Sequence, residues 1–163
     1  MARTIVLEDQ AASDDMVDAV MAASRVLVGV AVRSIAAITD DVTVPQYRTL
    51  VILVSEGPQR IADVAALLDV EPSTATRMSE RLVRKGLANR TGGEDDRRVV
   101  LLSATRAGRD LVASVTRRRR AEVRAIVRRM PPHSVEPLVK ALRDFTTASD
   151  EPAELHSSLG WAP

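Results

Sequence analysis

The chain has 163 residues, 45% of them hydrophobic and 28% charged, with a formal net charge of +1. That balance belongs to a folded globular chain, not a disordered one, and the length suits one core with long helical extensions better than two independent domains. Cysteine is absent, which excludes disulfides, thiolate zinc sites and a cysteine redox switch.

No charge-free run approaches the roughly 18 residues of a membrane span, so no membrane partner is expected. The N-terminus has acids at Glu8, Asp9, Asp14 and Asp15 where a secretory signal needs a longer apolar run, and a cytoplasmic location is expected. The small net charge hides a local asymmetry. Between Arg77 and Arg109 lie nine basic residues against four acids.

In chain order, residues 11–39 carry Val17, Val20, Met21, Leu27, Val28, Ala31, Ile35 and Ile38 at a spacing that fits the 3.6-residue helical period. A helix of that length reaches about 40 Å, too long for a small lobe to cover. After a break at "TDDVTVPQ", Pro45 suits the first turn of a second helix, "PQYRTLVILVSEG", with Gly57 as its C′ residue. A short third helix, "RIADVAALL" (60–68), sets Ile61, Val64, Ala65 and Leu68 on one side. Only Asp69 to Glu71 separate it from a fourth, residues 72–86, that closes on Gly86. Two short helices joined by so brief a turn form a helix-turn-helix.

Leu87–Thr91 and Arg97–Leu102 then predict two strands of a hairpin around "GGEDD". Residues 105–130 predict a second long helix stopped by Pro131 and Pro132, Ser134 suits the N-cap of a last helix to about Phe145, and the tail from Thr147 is irregular. The fold class is therefore mainly α with a small β-hairpin wing. Its expected units are a dimerisation helix in 1–40, a winged helix-turn-helix lobe in 41–108, and C-terminal dimerisation helices with a tail in 109–163.

On a helical wheel the fourth helix turns Ala75, Met78, Ser79 and Leu82 to the core and Ser73, Arg77, Glu80 and Arg84 away from it. Its outer face begins with the hydroxyls of Ser73, Thr74 and Thr76 and with Arg77, at a terminus whose free N–H groups favour phosphate. Such groups contact phosphates and base edges in a DNA major groove. An ordinary solvated amphipathic helix carries similar residues, and the hairpin is what tips the reading toward DNA. Arg90, Arg97 and Arg98 put cations on that wing. Asp96 and Arg98, two apart on one strand, share a face, so the carboxylate can hold the guanidinium extended before DNA arrives, with less rotamer entropy to lose.

From Pro45 to Gly108 the chain resembles the MarR family of bacterial transcription regulators. The resemblance rests on Gln46 and Leu50, "IADVAALLDV", "STATR", "RLVRKGLANR", and "DRR" with Thr105 and Gly108. It implies a winged helix-turn-helix in an obligate homodimer whose terminal helices interleave. It also implies that Arg98 reaches the minor groove while Ser73, Thr74, Thr76 and Arg77 meet the major groove. Arg84, Arg90 and Arg97 complete the expected DNA contacts. Two positions depart from the family pattern: Ala104 replaces a leucine at the base of the wing, and Glu71 replaces a better N-cap.

Long apolar stripes on the terminal helices favour a second copy of the chain as partner, and two-fold symmetry predicts a palindromic operator with half-sites about one helical turn apart. The arginines at 117–120 cannot all face solvent from one helix. They are expected to pair partly with Glu8, Asp9, Asp14, Asp15 and Asp18, although a mostly solvated face accounts for them as well. The resemblance further implies release by a small aromatic or anionic ligand in a cleft that Tyr47 and Arg48 would line; core packing and surface charge explain these two residues equally. His133 and His156 have no nucleophile or ligand partners at a useful spacing, so neither enzyme nor cofactor is expected. A winged-helix protein-interaction module without specific DNA binding stays as the alternative.

Overall fold

The computed structural model describes residues 2–92 and 100–148, with side chains from residue 14 onward. Helix α1 spans Ala2–Ala36, α2 Val44–Ser55, α3 Ile61–Leu68, α4 Pro72–Arg84, α5 Arg106–Val127 and α6 Val135–Ala148. Strands β1 (Gln59–Arg60), β2 (Ala88–Gly92) and β3 (Val100–Ala104) form one antiparallel sheet in the order β1-β3-β2.

The expected hairpin is present, with a third strand on its far edge. Gln59 and Arg60 pair with Leu102 and Leu101, and two residues are too few for a strand period to register in a sequence. The first strand ends at Gly92, and the expected start of the second at Arg97 lies outside the described residues.

Helix α1 begins well before residue 11, since nothing in the acidic stretch 8–15 breaks a helix, and it stops three residues short of 39. There the Ile38 and Thr39 N–H groups both turn back to the Ile35 carbonyl, and the Thr39 hydroxyl accepts the Asp41 N–H. Helix α2 has Pro45 in its first turn and Gly57 at φ 75° just past its end, as expected. Helix α5 ends at Val127 instead of 130. Arg129 and Met130 close short i→i−3 bonds because the residue before a proline resists the α conformation. Ser134 ends a short 3-10 turn directly before α6, which runs on past Phe145.

The core sits between α2, α3, α4, α5 and the sheet, with Leu50, Val64, Leu82, Ala88 and Leu102 fully buried. At roughly 25 cal/mol per Å² this cluster stabilises the lobe and fixes α3 against α4. Helix α1 crosses α5, with Val30 and Ile35 buried on α1 and Val115 on α5. Elsewhere α1 leaves Met16, Val17, Met21, Val26, Val28 and Val32 exposed, and α6 leaves Val139, Leu142 and Phe145 exposed with no buried residue of its own.

Helix α1 bears on the membrane expectation. Over Asp14–Ala36 the helix is long and apolar enough, by length and composition alone, to cross a bilayer. Arg25 and Arg33 interrupt every charge-free run within it, and Arg33 is engaged with α5 through Glu122.

Candidate nucleic-acid interface

The turn of the helix-turn-helix is closed by Asp69. It adopts a left-handed conformation (φ 53°), its N–H bonds the Ala66 carbonyl and that of Val70 reaches the Ala65 carbonyl. This is a Schellman closure with aspartate where glycine is commoner, tolerated because a short polar side chain costs least there. Pro72 opens α4, and the Glu71 side chain forms no cap, in line with the departure seen in the sequence. The Glu71 carbonyl instead accepts the Thr74 and Ala75 N–H groups.

Ala75, Met78, Ser79 and Leu82 are buried, as the wheel required. Ser79 keeps its buried hydroxyl satisfied by donating to the Ala75 carbonyl at 2.8 Å. Ser73, Arg77, Glu80, Arg81 and Arg84 are exposed on the other side. Thr74 and Thr76 are half-buried, and the Thr76 hydroxyl donates to the Pro72 carbonyl at 2.8 Å, which leaves its oxygen to accept. Arg77 lies back along the helix, its Nε donating to the Ser73 carbonyl at 3.3 Å.

A second Schellman closure ends α4. Gly86 (φ 69°) donates to the Val83 carbonyl and Leu87 to that of Leu82. The chain then enters β2, where Arg90 is the cross-strand partner of fully buried Leu102. Arg90 thus lies on the sheet face that packs on the core, and its Nη2 reaches the Glu80 carboxylate of α4 at 3.8 Å. Sequence reasoning placed Arg90 among DNA contacts but missed Glu80 as its holder. Only the sheet register could reveal the pair.

Thr105 and Gly108 lock the base of the wing. The Thr105 hydroxyl donates to the Gly86 carbonyl at 2.7 Å and accepts the Gly108 N–H at 3.1 Å, and the Thr105 N–H donates to the Leu87 carbonyl. Ala104 is buried against this joint, paired in register with Ala88, and its carbonyl accepts an Arg109 guanidinium N–H at 2.7 Å. Asp96, Arg97 and Arg98 lie outside the described residues.

Tyr47 and Arg48 diverge. Tyr47 is half-buried against the core, hydrogen-bonded with Thr116 and near Arg119 of α5, while Arg48 is exposed. Burial raises the Tyr47 phenol above its usual pKa, and the Thr116 bond and the Arg119 charge pull it down less strongly. Next to it, buried Gln46 accepts the Thr43 N–H at 3.3 Å and a Lys85 Nζ proton at 3.5 Å, joining the start of α2 to the end of α4. Along the arginine run, Arg117 bonds Ser114, and Arg118 and Arg33 share Glu122. Asp14, Asp15 and Asp18 are exposed, and the Glu8 and Asp9 side chains lie outside the described residues.

A helix-turn-helix with an exposed basic second helix, followed at once by an antiparallel hairpin braced on the next long helix, defines a winged helix-turn-helix protein. Residues 42–100 match the sequence profile of the MarR family. The uncharacterized HTH-type transcriptional regulator YhbI of Bacillus subtilis is 35% identical over 72 residues, 44% of this chain and 47% of that protein. The HTH-type transcriptional repressor MdtR of the same organism is 39% identical over 67 residues, 41% of this chain and 43% of its own. The chain spans about half the length of these curated relatives. Among solved structures, RV1404 from Mycobacterium tuberculosis is 45% identical with a TM-score of 0.79, over 85% of this chain and 95% of that one. YusO from Bacillus subtilis is 26% identical with a TM-score of 0.70, over 86% and 98%. The chain belongs to the MarR family, whose members are helix-turn-helix transcriptional regulators and not enzymes.

Proposed function

We propose that this protein is a sequence-specific repressor that binds a palindromic DNA operator as a homodimer in the cytoplasm. The observation that carries the DNA reading is the outer face of α4, where Ser73, Arg77 and Arg84 are exposed while Ala75, Met78 and Leu82 anchor the helix. A helix so held presents its first turns to base edges, with Thr74 and Thr76 at the margin and Arg84 toward the backbone. Arg97 and Arg98 at the wing extend the basic surface, with Asp96 positioning Arg98 for the minor groove. Repression, as opposed to activation, is supported by the similarity to the transcriptional repressor MdtR.

The homodimer reading rests on α1 and α6. A second copy covering Val26, Val28 and Val32 on one helix and Leu142 and Phe145 on the other accounts for apolar stripes that a single chain leaves in water. It accounts for Asp14–Ala36 without a membrane. On this reading residues 1–40 and 109–163 build the dimer stem and 41–108 the DNA-binding lobe. A small aromatic or anionic effector near Tyr47 and Arg48 would release DNA by favouring a spacing of the two recognition helices that no longer matches one helical turn.

Substitution tests the site. Arg98→Ala weakens operator binding by more than about 1 kcal/mol with the dimer intact, and Arg77→Ala also relaxes sequence preference. Unchanged affinity and preference in both variants overturn the assignment.

A further inference from the structure

Glu80 is the single acid on α4, and it sits on the outer face between Arg77 and Arg84. A carboxylate there repels every phosphate that approaches, which calls for a compensating role. Its partner supplies one. Arg90 stems from the core-facing side of β2, opposite Leu102 and two residues from buried Ala88, so its guanidinium emerges in the angle between recognition helix and wing. In a duplex with a helix in the major groove and a wing in the adjacent minor groove, the sugar-phosphate ridge dividing the grooves must run through that angle.

We propose that Glu80 is a specificity-setting residue that holds Arg90 toward the phosphate ridge between the two grooves and penalises any duplex docked out of that register. The inference rests on the DNA-binding reading and deepens it. In the correct register Arg90 stands between the carboxylate and the phosphate and neutralises both. Shifted by a base pair or more, the ridge meets Glu80 without its counter-charge. The cost of Glu80 therefore falls mainly on non-operator DNA. Both side chains are partly solvent-exposed, at 37% for Arg90 and 52% for Glu80, so exchanging either leaves the core untouched.

The test compares wild type, Glu80→Gln, Arg90→Gln and the double variant on the selected operator and on an unrelated duplex, at two salt concentrations. Glu80→Gln is expected to tighten binding to the unrelated duplex about tenfold while changing operator affinity less than about twofold. Arg90→Gln is expected to lower the salt dependence on the operator by about one phosphate contact per protomer, and Glu80→Gln added to it leaves the specificity ratio where Arg90→Gln put it. The inference is overturned if Glu80→Gln tightens both duplexes equally, leaves the ratio unchanged, or acts in full on the Arg90→Gln background. It is also overturned if the preferred base changes at one position, which assigns Glu80 to a cytosine amine instead. A wild-type protein that selects no sequence sinks the DNA-binding reading itself, whereas one that selects an operator while the variants keep its ratio sinks this inference alone.

Discussion

Gly108, in the first turn of α5, lies so close to Leu87 that a Cβ on it would overlap the Leu87 carbonyl oxygen and crowd the Leu50 side chain. That carbonyl already accepts the Thr105 N–H, so it cannot move aside without opening the base of the wing. Gly108→Ala is expected to destabilise the protein by about 1–3 kcal/mol, the usual range for overpacking. A urea midpoint at fixed protein concentration reads the loss; an unaltered midpoint contradicts the close approach.

Tyr47 is the only tyrosine, so tyrosinate ultraviolet absorbance reports it alone. Burial favours its neutral form, and the folded protein keeps the phenolic proton to higher pH than the unfolded chain does. The stability linked to this difference is fully present below about pH 10, the unfolded value, and is lost as pH rises from there through the folded pKa. The absorbance midpoint is expected above that of the denatured protein, and Tyr47→Phe should remove this component of the alkaline fall in stability. Coincident midpoints would contradict it.

Leu142 and Phe145 are 49% and 54% exposed on a helix with no buried residue of its own. Leu142→Asp with Phe145→Asp is expected to shift sedimentation toward a single subunit while helix content stays largely intact, since the lobe core does not use either residue. An unshifted dimer places the interface elsewhere. The same experiment across a salt series reads the arginine run: apolar contacts resist salt, whereas cross-chain pairing of residues 117–120 with acids in α1 weakens with it.

Most of the lobe was legible because its signals are local. Pro45, Gly57, Gly86 and the apolar spacing of α3 and α4 each act within a turn or two, and each lies where the sequence placed it. The features missed depend on partners distant in sequence. Strand β1 exists only because Leu101 and Leu102 lie beside it, and Glu80 gains its partner only through the register that brings Arg90 to the α4 face. Helix ends shifted where competition between terminating signals decides, as at Met130 before its prolines. The wing tip, Asp96 to Arg98, falls outside the described residues, and its role rests on sequence.

Enrichment of bound sequences from random duplex DNA, run at stated salt with the full-length protein, tests the central claim most directly because it reads binding, symmetry and spacing at once. The account predicts an inverted repeat with half-sites about one helical turn apart, held by two protomers. Recovery of an unenriched pool, or of an asymmetric site bound by one protomer, contradicts it.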